Sequence, residues 1–367
     1  LAFARDHLAD LTVVGPDNPL AMGIVDQFQA AGLRAWGPTQ QAAQFESSKI
    51  FSQEFMDRNG IPTMQSASFA DADGAKSFAA SLDGKCAVKA DGLALGKGVL
   101  ICNNTGEANG AIDQIMTDRA FGEAGSSVLI QELITGMEVS LHALCDGKCA
   151  KLFPSSQDHK RALDGDEGLN TGGMGAYSPV PFLSDEKLTE IADSVLDPWL
   201  AGCAAEGIDF RGMLYPGVML TDDGPKVLEF NARFGDPETQ VYVTRLENDL
   251  VDLLEASIDG TLAGHELRWS AQSSVCVVMA SGGYPGSYEK GKVITGIADA
   301  DALPGVKVFH AGTKLDGENV VTSGGRVLGV TALDQGLQAA RDLAYEAAAK
   351  IQFEGAFTRT DIAAKGL

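Results

Sequence analysis

Apolar and polar positions follow two periods along this chain, one near 3.6 residues and one near 2. Residues 11–15 (Leu-Thr-Val-Val-Gly) are a short apolar run ending at Gly15-Pro16, the mark of a buried strand. A helical pattern at about 21–31 is closed by Gly32, and 33–36 resume a strand. The order predicts a parallel βαβ unit, the second half of a doubly wound domain whose first half is absent. Further on, the periodicity predicts helices at about 47–59, 184–205 and 241–257. It predicts strands at 86–89, 99–102, 127–133 and 139–144, and a hairpin from 212–220 and 226–230. From about residue 268 the character changes. Short strands at 274–279, 292–295, 307–310 and 326–332 alternate with Gly and Pro turns, and a long helix covers about 333–350. This predicts a separate α+β module after an α/β body.

The stretch from Lys226 to Gln240 (KVLEFNARFGDPETQ) carries the most chemistry. Strand side chains alternate faces, so Glu229 and Asn231 share one side while Leu228 and Phe230 take the other. A carboxylate and an amide oxygen are hard ligands that suit Mg²⁺, which completes its shell with water and phosphate. On its own, Glu-x-Asn fits a solvated hairpin strand better than a metal site. A second feature is the run from Lys89 through Gly92, Gly96 and Lys97 to Gly98, which lies between two strands. A P-loop opens a helix, whereas here Gly98 and a strand follow Lys97. The run reads as a glycine-rich flap whose backbone N–H groups close on phosphates. Two more runs, Ser155 to Arg161 and Asn170 to Ser178, bracket an acidic loop. His159-Lys160-Arg161 alone reads as a solvated basic turn, but the glycines at 172, 173 and 175 signal a special backbone path.

Composition narrows the classes. The 367 residues suggest more than one domain, and 45% are apolar, enough for real cores. No apolar run approaches the ~18 residues of a membrane span. The net charge of −22 argues against a nucleic-acid surface and requires that anionic substrates be held by local Lys, Arg and N–H groups. The six cysteines are scattered without a zinc spacing, so they read as reduced thiols of a cytoplasmic protein. No Gly-x-Gly-x-x-Gly links a strand to a helix, which weighs against a dinucleotide-dependent dehydrogenase.

An early Lys, a lysine-bearing glycine flap, a hinge-like segment from Glu132 to Glu138 and a Glu-x-Asn strand, in that order, resemble the ATP-grasp superfamily. Longer runs sharpen the likeness: Val14-Gly15-Pro16-Asp17, Lys89-Ala90-Asp91-Gly92, Ser156-Gln157-Asp158-His159-Lys160-Arg161, Asn170-Thr171-Gly172-Gly173-Met174-Gly175, and Glu229-Phe230-Asn231 with Arg233-Phe234-Gly235-Asp236-Pro237. Across essentially the whole chain these are similar to the phosphoribosylamine–glycine ligase (glycinamide ribonucleotide synthetase) family. Ser281 to Gly286 and His310 to Thr313 resemble its C-terminal domain. Asp17, Leu95, Leu169 and Ala232 depart from the family's usual Glu, Ala, Pro and Cys. The family's opening strand and Gly-Gly-Arg-Glu-His loop are missing, and that loop is implied to help hold the ribose phosphate.

The resemblance implies an ATP-grasp fold. A partial doubly wound N-terminal domain would cover 1–46, an ATP-grasp domain 47–265 with a flap subdomain at about 62–134, and a C-terminal α+β domain 266–367. It implies ATP-dependent ligation of glycine to 5-phosphoribosylamine through glycyl phosphate, in purine biosynthesis. Lys49, Lys89, Gly96, Lys97, Gly98, Glu132, Leu133, Ile134 and Glu138 would bind ATP. Glu229 and Asn231 would hold Mg²⁺ or Mn²⁺, and Arg233 and Lys97 would be catalytic. Asp17, Asp158, His159, Lys160, Thr171, Gly172, Gly235, Asp236 and Pro237 would line the substrate site. The partners implied are small molecules, with neither nucleic acid nor membrane, and the chain would be a monomer. Two other readings share the nucleotide residues: another ATP-grasp carboxylate–amine ligase, and a nucleotide-binding module that has lost catalysis.

Overall fold

A computed structural model describes residues 1–93 and 98–367. The chain forms two compact units, each assembled from separate stretches. The first takes residues 1–152, 186–234 and 251–266; the second takes 153–185, 235–250 and 267–367.

The first unit begins with the expected parallel pair, Thr12–Val13 beside Ala35–Trp36. The helix expected at 21–31 is two helices, Asp17–Ala21 and Ile24–Ala30, separated at Gly23, which has a φ of 74°. Leu20, Val25 and Phe28 from these helices bury against Val14 and Ala35. A four-stranded antiparallel sheet follows, in the order Ser66–Phe69, Val128–Glu132, Lys85–Ala90, Val99–Asn103. Its core joins Val88, Ala90 and Ile130 to Ala75 and Ala79 of one helix and Ala108 and Ile112 of another. The last two strands are the antiparallel pair on either side of the glycine-rich run.

The second sheet of this unit is built on the long strand Arg211–Thr221, which pairs with Gly224–Asn231 on one side. Its other side is shared by Met137–Ser140 and Ala143–Asp146. The single strand expected at 139–144 is therefore two, interrupted at Leu141 and His142. Phe45, Phe55, Trp199, Phe210 and Phe230 cluster as an aromatic core, with rings 4.8 to 6.0 Å from Phe45. Such pairs add about 0.5–1.5 kcal/mol each beyond burial.

The second unit has a six-stranded sheet. Its main path runs Gln157–Asp158, Gly175–Ser178, Ser273–Ser281, Arg326–Asp334, Val306–His310, and Ala356–Phe357 also pairs with Ser273–Ser281. Segments from before residue 180 thus enter the sheet of the C-terminal module, with Gly175 opposite Val277 and Ser178 opposite Ser274. Val241 of the helix Glu238–Arg245 packs with Ala176 and Cys276. Ala347 and Ala348 of the helix Leu337–Lys350 pack with Met279 and Val330. Cys276 and Met279 point to opposite sides of their strand, so the sheet carries a helix on each face.

Three further expectations are corrected. The helix expected at 241–257 breaks at 246–249 into Glu238–Arg245 and Leu250–Asp259, because Leu246 bridges to Trp269 and Asn248 accepts the Arg268 N–H. Residues 292–295 make only isolated bridges, Val293 to Val321 and Thr295 to Gln352. The long helix begins at Leu337 rather than 333, since Leu333 and Asp334 still pair in the sheet. The six cysteines are free thiols. Among the described residues no helix is long and apolar enough to cross a membrane.

Candidate active site

In the first unit, Glu229 lies opposite Gly217, Phe230 opposite Pro216, and Asn231 opposite Tyr215. Phe230 is buried in the aromatic core, while Glu229 and Asn231 are half-buried on the other side of the sheet. Across the central strand, Ser140 lies opposite Gly217 and Glu138 opposite Met219. Directly opposed residues share a face, so Glu138, Glu229 and Asn231 stand on the same one. The Glu138 carboxylate comes within 4.0 Å of where a Gly217 side chain would begin. The register slips between Gly217 and Val218, which leaves Leu228 as the extra residue of a bulge. Its carbonyl accepts from Lys89 Nζ at 3.1 Å, so a buried lysine of the flap hairpin reaches the strand that carries Glu229.

The helix Lys49–Arg58 is anchored to the base of the flap. Asp91 accepts from Ser48 Oγ at 3.0 Å and from the Ile50 N–H at 3.2 Å, and Lys49 Nζ reaches the Gly92 carbonyl at 3.4 Å. Ser48 caps this helix through the Phe51 N–H. Glu132 ends a strand of the four-stranded sheet, and Leu133 and Ile134 lead from there to the Glu138 strand. The Gly98 carbonyl closes the flap base on the Ala90 N–H at 2.8 Å. Gly96 and Lys97 lie outside the described residues.

Arg233 is held from behind. Glu46 takes its Nε at 3.0 Å with one carboxylate oxygen and the Ala232 N–H at 2.8 Å with the other. Burial pushes the Glu46 carboxyl above its ordinary range. Arg233 and the Ala232 N–H oppose that rise, and the charges of Asp17 and Glu229 add to it. Asp17, at the first turn of its helix, is therefore close enough to this group for its charge to be felt.

In the second unit, residues 158–160 and 171–175 are laced together. Thr171 binds the Lys160 carbonyl through both its N–H and Oγ1, at 2.7 and 2.9 Å, and the Met174 N–H donates to the His159 carbonyl. Gly173 has a φ of +113°, and a Cβ there would fall 2.4 Å from Pro237 Cδ and 2.6 Å from Asp158 Oδ1. Only glycine fits, and Asp158, Gly173 and Pro237 are thereby brought together. Gly235 and Asp236 are tied to the helix behind them, through Thr239 to the Gly235 carbonyl and Gln240 to Asp236 Oδ1.

Comparison with known proteins settles the family. Three models of phosphoribosylglycinamide synthetase match the chain: the N domain over residues 1–46, the ATP-grasp (A) domain over 47–239 and the C domain over 274–365. The chain belongs to the phosphoribosylglycinamide synthetase family. A phosphoribosylamine–glycine ligase of Vibrio cholerae is 47% identical over 99% of this chain and 84% of its own. A trifunctional purine biosynthetic protein of Gallus gallus, adenosine-3, is 51% identical over 98% of this chain, which spans only 36% of that protein's length. Among solved structures, the phosphoribosylamine–glycine ligase of Thermotoga maritima aligns with a TM-score of 0.80 at 35% identity, covering 90% of this chain and 82% of that one. A biotin carboxylase domain from Hydrogenobacter thermophilus, solved with MgADP, aligns at 0.74 and 18% identity over 97% of this chain and 77% of its own, a likeness of fold.

Within this chain, the structure gathers Glu138, Glu229 and Asn231 on one face, with Lys89 touching the adjoining bulge. Asn231 Nδ2 donates to the Tyr215 carbonyl at 3.3 Å, which leaves Oδ1 as its atom for a cation. Among the described residues no group of three or more His, Cys, Asp or Glu side chains could hold a metal. A two-oxygen site fits an ion that takes its other ligands from phosphate and water. His159 departs from the solvated turn that its run suggests: it is 1% exposed. Its Nδ1 donates to the Gly175 carbonyl at 3.1 Å and its Nε2 accepts the Ala363 N–H at 3.2 Å, so both ring nitrogens are engaged inside the unit. Glu46 and Arg326 were missed by the sequence reasoning. Glu46 sits three residues before Lys49 in the run Phe-Glu-Ser-Ser-Lys, and Arg326 closes Thr-Ser-Gly-Gly-Arg; neither spacing reveals a partner so far along the chain.

Burial, helped by the Arg359 charge, pushes His159 down to about 4. A histidine depressed in the folded state stabilises fully above its unfolded value of about 6.5, and that contribution fades as pH falls towards 4. About 3 kcal/mol should be lost across this window. Urea unfolding at pH 7 and pH 4.5 should show a larger fall for the native chain than for His159→Gln. Equal falls would remove His159 as the cause.

Proposed function

We propose that this chain joins glycine to 5-phosphoribosylamine at the expense of ATP, giving glycinamide ribonucleotide, ADP and phosphate. The observation that carries the reading is the shared sheet face of Glu138, Glu229 and Asn231, next to the bulge that Lys89 holds. A carboxylate is a poor electrophile. Transfer of the ATP γ-phosphoryl group to a glycine oxygen makes glycyl phosphate, whose phosphate leaves when the amine of phosphoribosylamine attacks the carbonyl carbon. The amine's proton passes to solvent or to the departing phosphate. No protein nucleophile is needed; the work is positioning and charge neutralisation.

In this reading Lys49 and Lys89 bind the phosphates, and the flap with Gly96, Lys97 and Gly98 closes over them. Glu132, Leu133 and Ile134 meet the adenine, and Glu138 takes the ribose hydroxyls. Mg²⁺, or Mn²⁺ in its place, would be held by Glu229 and Asn231 and would screen phosphate charge. Arg233 stabilises the negative charge of the acyl phosphate, with Lys97 assisting. Asp17, Asp158, Lys160, Thr171, Gly172, Gly235, Asp236 and Pro237 serve the substrates. His159 serves them by fixing its loop, since both its ring nitrogens are engaged elsewhere. The division into 1–46, 47–265 and 266–367 belongs to the same reading and is supported by the three family matches. So does a cytoplasmic monomer acting on small molecules, with neither nucleic acid nor membrane as partner.

The test is a coupled ADP assay with each component omitted in turn. ADP release should require ATP, glycine and phosphoribosylamine together, and should stop when EDTA removes the divalent ion. ATP binding without turnover would point to a silent nucleotide module. Turnover with another carboxylate but not glycine would point to a different ATP-grasp ligase.

A further inference from the structure

We propose that Arg326 is a positioning residue for the acceptor substrate, one guanidinium that sets the loop at 171–173 against the loop at 235–237. The inference rests on the assignment of those loops to phosphoribosylamine. Arg326 opens the strand Arg326–Asp334 in the middle of the second unit's sheet, so its backbone is fixed by pairing. The turn before it is pinned as well: Ser281 binds the Gly325 carbonyl through its N–H at 2.8 Å and the Gly324 carbonyl through Oγ at 2.9 Å. From this rigid base Nη1 donates to the Gly172 carbonyl at 2.8 Å, the Gly173 carbonyl at 3.3 Å and the Asp236 carbonyl at 2.7 Å. Nη2 donates to Asp236 Oδ2 at 2.7 Å.

The planar fork thus joins two irregular segments more than sixty residues apart in sequence. A lysine ammonium offers one point charge instead and has no second nitrogen, fixed to the first, to reach Asp236 Oδ2 while the carbonyls are held. The fit leaves no slack, because a Cβ at Gly172 would lie 2.9 Å from the guanidinium carbon. Tyr284 adds a second restraint from the turn that follows the strand Ser273–Ser281, its hydroxyl accepting the Gly172 N–H at 3.2 Å. Charge-assisted bonds to carbonyls are among the stronger ones. Here they are spent on loop carbonyls and on Asp236, which orients the loops and leaves the direct contacts to other groups.

The experiment compares the native chain with Arg326→Ala, Arg326→Lys and Tyr284→Phe by steady-state kinetics and by amide hydrogen exchange. In Arg326→Ala the KM for phosphoribosylamine should rise about tenfold or more, as expected for losing one charge-assisted contact set. The KM values for ATP and glycine should stay within about twofold. Arg326→Lys should recover part of the loss, and Tyr284→Phe should give a smaller rise in the same constant. Amides at 171–175 and 235–239 should exchange faster together in Arg326→Ala, because one group restrains both loops. An unchanged KM for phosphoribosylamine, or faster exchange in only one loop, would overturn the proposal. If Arg326→Ala does not fold, Arg326→Lys and Tyr284→Phe carry the same two readouts. A native chain that makes no glycinamide ribonucleotide would sink the assigned reaction, while the exchange data would still decide whether Arg326 couples the loops.

Discussion

Replacing Glu229 with alanine is expected to lower kcat by about 10²-fold or more at saturating ATP and Mg²⁺, the size of other lost transition-state charge contacts. Glu229 is half-buried on the face it shares with Asn231 and Glu138, and its neighbour Phe230 alone of the three positions 229–231 enters the aromatic core. The change therefore removes the proposed oxygen ligand without opening the core, and the thermal midpoint should move little. ATP affinity should fall less than turnover, because Lys49 and Lys89, proposed to bind its phosphates, remain. Steady-state ADP release and calorimetric ATP binding, measured on the same preparation, separate the two effects. Full turnover by Glu229→Ala would remove this residue from the chemistry.

The second large effect is expected at Glu46. Its carboxylate fixes Arg233 through Nε and the Ala232 N–H at once, so Glu46→Ala removes the anchor at the Nε end of the guanidinium and strands a donor on the buried Ala232. In the proposed reaction Arg233 meets the acyl phosphate, and a displacement of about 1 Å in such a group can cost about 10²-fold in kcat/KM. Leaving the N–H unpaired should cost a further 1–3 kcal/mol of stability or so. Glu46→Gln keeps an oxygen for the Ala232 N–H and should recover most of the stability but little of the rate. Equal rates for the glutamine and native chains would mean that the charge on Glu46 does not matter. Because burial raises the Glu46 carboxyl, its bridge to Arg233 should be lost by protonation at a higher pH than an ordinary surface glutamate would allow.

Local patterns were the legible part of this chain. The parallel strand pair at its start, the flap hairpin and the strand that turns Glu229 and Asn231 to one side all follow from periodicity over a few residues. Family membership was legible too, because long runs such as Ser156 to Arg161 are specific where single glycines are not. What stayed hidden depends on partners far apart in sequence. Nothing near Gly175 announces that it pairs with Val277. Nothing near Phe45 shows that the next residue, Glu46, will hold Arg233. Asn248 interrupts a convincing helical pattern because Arg268 needs an acceptor, and that need is twenty residues away. His159 looked solvated because its neighbours are basic, yet the Ala363 N–H and the Gly175 carbonyl claim its ring.

The interleaving of the two units bears on how the chain can be made. It passes from one unit to the other after residues 152, 185, 234, 250 and 266. When residue 152 leaves the ribosome, the strand Met137–Ser140 still lacks its partner Arg211–Thr221. The nascent first unit therefore presents an open sheet edge until some seventy further residues emerge, a period in which such an edge invites pairing with other chains. A cut in the gene after residue 185, 234 or 250 leaves neither unit whole, so expressing either unit by itself requires splicing its separate pieces together.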